Sequence, residues 1–152
     1  LYPVLWFASM FLSIVFLLSF RFVFLYETIG HVAPLLFIVI PFFSRSFMAL
    51  LLSYGKLAKP NGMAAAFRKH VTKSETRFIL LLLSIGTIVV GAIYPVETAV
   101  LTLGAIFSWR SAQSFYDRQF GGITGDMLGA FVEGTEGWLW FLVWLLRSFV
   151  TA

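Results

Sequence analysis

The stretch that decides the fold is the apolar run Phe78–Trp109, FILLLLSIGTIVVGAIYPVETAVLTLGAIFSW. As one helix it would be about 48 Å long, whereas the hydrocarbon core of a bilayer is about 30 Å thick. A proline ring also clashes with the preceding helical turn. We therefore predict that the chain reverses within Tyr94-Pro95-Val96-Glu97, which gives two spans over 78–94 and 96–116. The alternative is one kinked helix, which would place Arg110 on the far side from the other basic residues.

The composition supports a membrane protein. The chain has 152 residues, of which 60% are hydrophobic and 12% charged, and its mean hydropathy is +0.92, well above that of soluble domains. It has no cysteine, which excludes a disulfide framework and a thiolate metal site. The net charge of +4 indicates contact with a lipid bilayer rather than with nucleic acid, because the same chain contains eighteen phenylalanines.

The rest of the chain supplies three further apolar segments of about 20 residues, the length that crosses a bilayer. The predicted spans are 1–20, 32–54, 78–94, 96–116 and 125–150. The sequence thus predicts an all-α, polytopic transmembrane helical bundle that forms a single membrane-embedded domain over 1–152. Residues 55–77 carry six Lys or Arg and one acid, so the positive-inside rule places this loop, the N-terminus and the 110–124 loop in the cytoplasm.

Glycines and acids are concentrated in GGITGDMLGAFVEGTEG, Gly121–Gly137, which holds six of the twelve glycines and three of the seven acids. Gly121, Gly125 and Gly129 recur every four residues, a spacing typical of closely packed transmembrane helices. Helix packing accounts for these glycines but leaves the acids unexplained.

The acids of this stretch lie on one helical face. Asp126 and Glu133 are seven residues apart and therefore project from the same side of a helix, with Glu136 about 80° away. We predict that Glu136 is only solvated. A water-exposed first turn, where Asp126 favours the positive helix N-terminus, is the simplest explanation of the strip.

The same stretch also suits a metal-assisted reaction at a diphosphate. The glycine-rich turn Gly121–Gly125 opens a helix and offers backbone N–H groups to a phosphate. Asp126 and Glu133 offer oxygen ligands to Mg²⁺, which commonly binds one or two carboxylates together with substrate phosphates. Arg118 precedes the turn and would neutralise phosphate charge. The pattern matches neither a P-loop nor a dinucleotide fingerprint.

Arg45 lies about halfway along the predicted second span, which Pro34 and Pro41 interrupt. Charge within a membrane is costly and commonly functional. We interpret Arg45 either as a phosphate clamp or partner of Asp126 or Glu133, or as a structural ion pair with another acid in the membrane.

The sequence GGITGDMLGAFVEGTE, with SRSFMALLLSYGKLAKPNGMAAAF upstream, resembles the C-terminal part of the cobalamin synthase family, the adenosylcobinamide-GDP ribazoletransferases. The similarity covers nearly the whole chain. The family pattern Gly-Gly-x-Thr-Gly-Asp-x-x-Gly-Ala-x-x-Glu matches at Gly121, Gly122, Thr124, Gly125, Asp126, Gly129, Ala130 and Glu133. A shorter match is Ser44-Arg45 followed by Lys59-Pro60 and Gly62.

The resemblance implies a substrate pair and a cofactor. The family joins adenosylcobinamide-GDP to α-ribazole, releases GMP, yields adenosylcobalamin and uses Mg²⁺. It implies a multi-pass protein of a bacterial or archaeal cytoplasmic membrane, active on the cytoplasmic side, with oligomerisation left open. The implied roles are Asp126 and Glu133 as metal ligands and Arg45 as a charge facing the leaving GMP. An Asp-Gly-x-x-Asp motif typical of the family is missing from this sequence, so we expect a fragment that holds half of a metal site.

Two alternatives remain at this stage. The chain would be a non-enzymatic membrane protein if the glycines formed only a helix-packing seam. It would be a related Mg²⁺-dependent transferase of nucleotide-activated alcohols if a lipid replaced the corrinoid.

Overall fold

The regular structure is helical throughout the described residues. The computed structural model describes residues 2–28 and 34–150, without the side chains of 2–10, 25, 27, 28 and 150. The ends of the predicted spans at residues 1 and 32–33 therefore lie outside the described residues. The helices are α1 (Tyr2–Thr28), α2 (Leu36–Tyr54), α3 (Met63–Lys69), α4 (Lys73–Ile93), α5 (Pro95–Phe120) and α6 (Gly125–Val150). The all-α prediction is confirmed.

Helices α2 and α4 are antiparallel neighbours. Near the end of α2, the Ser53 hydroxyl accepts a hydrogen bond from Thr76, close to the start of α4. Towards the opposite end, Gly86 approaches the Phe42 ring so closely that an added Cβ would lie 3.0 Å from it. The small residue at 86 lets the two helices meet there.

The chain reverses at Tyr94-Pro95, as predicted. Tyr94 leaves the helical conformation, with φ −130° and ψ 73°, and Pro95 begins α5, where its missing N–H costs no helical bond. Gly122, two residues after α5, lies against the backbone of Lys56, so α5 ends where α2 ends and α4 begins. Helices α4 and α5 therefore form a hairpin, and the alternative of one kinked helix is wrong.

Helix α6 runs back along α2 and α5, and α1 lies beside it. Trp140 of α6 packs on Phe37, near the start of α2, with ring centres 4.9 Å apart. Phe24 of α1 packs on Phe141 and Trp144, at 5.6 and 5.5 Å. Among the described helices, α1 contacts α6 alone. The two helices run in the same direction, because Arg21 lies at Glu133 and Glu136, whereas Phe24, later in α1, lies at residues later in α6.

The core lies around α2. Its largest fully buried apolar side chains come from α2, α5, α6 and the turn before α6: Leu36, Ile40, Phe43, Leu51, Leu101, Ile123, Leu139, Trp140 and Val143. The outward faces carry large apolar side chains, and Phe16 and Ile88 are each 70% exposed. The molecule is thus apolar both inside and on much of its side surface.

Among the described residues, two helices, α2 and α4, are long and apolar enough to cross a membrane. A shorter apolar stretch covers Phe11–Phe24. The five long helices overlap the five predicted spans, but the five-span membrane topology stays a prediction.

The predicted loop 55–77 is partly helical. It contains α3 and the first turn of α4, which begins at Lys73 because Thr72 and Glu75 form a capping box. In this box the Thr72 hydroxyl accepts from the Glu75 N–H, and the Glu75 carboxylate accepts from the Thr72 N–H at 2.6 Å. The predicted start of the third span, at residue 78, is therefore five residues later than the observed start of α4.

Candidate functional site

Five side chains from three helices form an ionic network, which we call the arginine–glutamate cluster: Arg21 of α1, Ser44 and Arg45 of α2, and Glu133 and Glu136 of α6. Glu136 is its centre. One of its oxygens accepts from Arg45 Nη1 at 2.7 Å and from Ser44 Oγ at 3.1 Å. The other accepts from Arg21, which also donates to Glu133 Oε2 at 3.1 Å.

Burial separates the two glutamates of the cluster. The side chain of Glu136 is 2% exposed, whereas that of Glu133 is 54% exposed. A buried carboxylate needs paired charges and hydrogen bonds to offset the loss of water, and Glu136 has two guanidinium groups and a hydroxyl. Two positive and two negative charges make the cluster formally neutral, and it joins α1 and α2 to α6.

The prediction that Glu136 is only solvated is wrong. Helical periodicity gives the angle between Glu136 and Asp126, but it does not say which neighbouring helix covers each face. Both α1 and α2 contact α6, and their arginines meet at Glu136. Arg45 is therefore paired with an acid other than Asp126 or Glu133. This matches the alternative interpretation of Arg45 as a structural ion pair with another acid. The Arg45 side chain remains 61% exposed and thus accessible to a ligand.

The glycine-rich turn is held by backbone hydrogen bonds to the α2–α3 connection. Ile123 N–H donates to the Lys56 carbonyl at 2.7 Å, and Ala58 N–H donates to the Ile123 carbonyl at 3.1 Å. Gly122 has φ +144°, and a Cβ there would lie 2.6 Å from the Ala58 nitrogen and the Lys56 oxygen. Only glycine fits this close approach. We call residues 121–124 with 56–58 the turn junction.

The turn junction uses most of the donors that were predicted to hold phosphate. Gly121 and Gly122 donate to the Tyr116 carbonyl, and Ile123 donates to Lys56. Within the described chain, the N–H groups of Gly125 and Asp126 in the first turn of α6 have no acceptor. Any phosphate bound at this end would therefore meet the start of α6 rather than the turn itself.

Thr124 and Arg118 occupy different surroundings. The Thr124 hydroxyl accepts from the Met127 N–H at 3.4 Å and so caps α6. Arg118 is exposed in the last turn of α5 and lines a shallow cavity of about 530 Å³ with Arg110. A phosphate-binding role for either residue stays a prediction.

Comparison with known proteins identifies the family. The model of the cobalamin-5-phosphate synthase family matches residues 7–145. The chain belongs to this family. The resemblance carried by the Gly121–Glu133 motif is thereby confirmed.

Curated relatives of this cobalamin-5-phosphate synthase family member are named adenosylcobinamide-GDP ribazoletransferase. The chain is 49% identical to that of Geobacillus sp. (strain WCH70), over 91% of this chain and 55% of the relative. It is 46% identical to that of Geobacillus thermodenitrificans (strain NG80-2), over 90% and 54%. The chain thus spans about half the length of the curated relatives it matches. No solved structure gives a significant match.

The predicted metal ligands of this family member are far apart along α6. Asp126 is exposed in the first turn, and Glu133 lies seven residues later, about 10.5 Å along the axis. Mg²⁺ binds oxygen at about 2.0–2.1 Å and usually keeps several waters, so sharing one ion would require water or phosphate oxygens between them. In the part of the chain that the structure describes, no three or more His, Cys, Asp or Glu side chains form a metal-binding group.

The four-residue glycine pattern does not form a packing seam within the described chain. An added Cβ at Gly129 would meet nothing within 4 Å, and Gly121 lies outside α6. Gly125 alone of the three contacts another helix, at Met63 of α3. The close approach of α5 and α6 is instead at Gly104, where a Cβ would lie 2.4 Å from Leu142.

Sequence reasoning missed Arg21, Ser44 and Glu136 as members of the cluster. Arg21 was placed after the first span, although the apolar residues Phe22–Phe24 continue the run beyond it. That continuation indicates a charge inside a helix, which normally requires a partner.

Proposed function

We propose that the protein containing this chain joins adenosylcobinamide-GDP to α-ribazole and releases GMP. The observation that carries the proposal is the family match over residues 7–145, together with the name shared by relatives that are 43–49% identical. A hydroxyl oxygen of α-ribazole attacks the cobinamide-side phosphorus and forms a new P–O bond. The bond to the bridging oxygen breaks, GMP leaves with the electron pair, and the hydroxyl loses its proton.

The residues of α6 fit the diphosphate that this reaction consumes. The free N–H groups of Gly125 and Asp126 point to an anion at the start of the helix. We propose that Asp126 and Glu133 would hold Mg²⁺ together with the substrate diphosphate, because Mg²⁺ commonly binds one or two carboxylates along with substrate phosphates. The metal would neutralise the charge of the diphosphate and of the leaving group.

Arg45 is proposed to face the leaving GMP. It bonds Glu136, which lies three residues beyond Glu133, and more than half of its side chain is exposed. The buried carboxylate fixes the guanidinium while leaving donors free for a phosphate. Ordered donors of this kind stabilise developing charge without reorganising during the reaction.

We further propose that the five long helices cross the cytoplasmic membrane. Their directions alternate from α2 to α6 apart from the short α3, and their outward faces carry exposed residues such as Phe16, Ile88 and Phe107. The turn junction and the basic residues of 55–77 lie at one end, which the positive-inside rule places in the cytoplasm. Substrates would then approach Asp126 from the cytoplasm.

The test is Asp126→Asn in the full gene product, expressed in membrane vesicles and supplied with both substrates and Mg²⁺. We expect GMP release to fall about 100-fold or more. The amount and the thermal stability of the protein should not change, because Asp126 is exposed and makes no hydrogen bond or ion pair to the described residues.

Asp117→Asn is the matched control, since Asp117 is an exposed acid on α5 with no proposed role. Turnover at the wild-type rate in Asp126→Asn would remove this residue from the metal site. Release of CMP instead of GMP from a CDP-activated lipid alcohol would replace the corrinoid reaction with the related lipid transferase.

A further inference from the structure

A cleft of about 500 Å³ opens where the end of α2, the end of α3 and the start of α4 meet. Its size falls within the range of small-molecule sites. Its polar lining consists of Ser53, Arg68, Thr72, Lys73, Thr76 and Arg77. The cleft lies on the α4 side of α2, away from the arginine–glutamate cluster on the α6 side.

The cleft carries three positive charges, and no acid lines it. Arg68 donates to the backbone carbonyls of Gly55 and, at 2.9 Å, Ser53. These acceptors are neutral, so they position the guanidinium without cancelling its charge. Within the described residues, neither Lys73 nor Arg77 forms an ion pair. The two residues are four apart on α4 and therefore lie on the same face.

The start of α4 adds donors to this charge. The capping box occupies the N–H groups of Thr72 and Glu75 but leaves those of Lys73 and Ser74 without an acceptor in the described chain. The Ser53 and Thr76 hydroxyls at the wall of the cleft donate to the backbone carbonyls of Ala49 and Thr72, so they add no free donor. Cations and a helix N-terminus that converge on one cavity favour a multiply charged oxyanion.

We propose that this cleft binds the phosphate group of a phosphoester, carried either by a soluble nucleotide or by a lipid head group. The site does not depend on the proposed transferase activity. A bound phosphate would contact Arg68, which holds the Gly55 carbonyl, and Gly55 precedes the Lys56 carbonyl of the turn junction. Occupancy of the cleft would thus stabilise the backbone that supports the start of α6.

The test measures binding to the full protein in lipid nanodiscs with EDTA present, so that metal-dependent binding at the proposed active site does not contribute. One probe is inorganic pyrophosphate, followed by titration calorimetry in phosphatidylcholine discs. The other is phosphatidylglycerol retained in native mass spectrometry from mixed discs. The variant is Lys73→Gln with Arg77→Gln, and Arg68 is kept because it holds the backbone.

The control is Lys59→Gln with Lys69→Gln, which removes the same charge from exposed positions outside the cleft lining. We expect the cleft variant to weaken binding of one probe at least about tenfold, since two charged contacts to phosphate are lost. The control should stay within about twofold. The probe that responds identifies the source of the phosphate. Equal weakening in both variants, or no binding of either probe to the wild type, would overturn the proposal.

Discussion

The arginine–glutamate cluster and the turn junction both hold α6 in place, and they do so by opposite means. The cluster uses charged side chains around a carboxylate that is 2% exposed. The junction uses backbone N–H and carbonyl groups around a glycine, with Asp126 exposed beside it. The comparison shows that an acid's position in a motif does not decide its role. Glu136 is occupied by its neighbours, whereas Asp126 is available to a ligand.

The two regions should therefore respond to different kinds of substitution. The cluster is sensitive to the loss of a charge, because the remaining partners are left without a counterion. The turn junction is sensitive to the addition of atoms, because the backbones approach too closely for a Cβ. Each of the following substitutions tests one side of this contrast.

The largest effect is expected for Glu136→Ala. It leaves Arg21, Arg45 and Ser44 without their shared acceptor, and removing one partner of a buried ionic network costs about 3–5 kcal/mol. The value should lie near the lower limit, because Arg45 is 61% exposed. The measurement is the free energy of unfolding in detergent.

Glu133→Ala is the matched control within the cluster. Its side chain is 54% exposed with one partner, so we expect a cost below about 1 kcal/mol. Equal costs for the two glutamates would contradict the distinction between a buried centre and an exposed rim.

A somewhat smaller effect is expected for Gly122→Ala. The new Cβ would lie 2.6 Å from the 56–58 backbone, and φ of +144° is unfavourable for alanine. We expect a loss of about 1–3 kcal/mol, together with faster hydrogen exchange at the Ile123 amide. Gly129→Ala is the control, because space is open there. A Gly122→Ala protein as stable as the Gly129→Ala protein would show that the turn junction opens freely.

The smallest effect is expected for Thr124→Ala, which removes the cap of α6. The hydrogen bond to the Met127 N–H is long, at 3.4 Å, so the loss should be about 0.5 kcal/mol. Thr124→Ser should restore the cap. If unfolding showed this small loss but GMP release fell about 100-fold, Thr124 would serve the substrate as well as the helix.

Local chemistry made several features predictable. Proline at 95 determined the reversal between α4 and α5, and the length of the apolar run required one. The capping box at Thr72 and Glu75 was also visible in the sequence and would have located the start of α4 correctly.

Contacts between distant segments could not be predicted from the sequence. Glu136 is separated from Arg21 by 115 residues and from Arg45 by 91. No periodicity within α6 reveals which helices cover it, and the pairing depends on how α1 and α2 pack there. The same holds for the turn junction, where glycine at 122 predicted a phosphate site but serves a close backbone approach.

The separation between Arg21 and Glu136 also has a consequence for synthesis. Translation proceeds at about 5–20 residues per second, so the acceptor of Arg21 emerges roughly 6–23 s after the arginine itself. Among the described helices α1 contacts α6 alone, so none of α2–α5 packs against it before α6 is made. Of the described helices, α1 therefore gains its contact only once α6 has been made, and a ribosome that pauses late in the message would lengthen the interval before Arg21 pairs with Glu136.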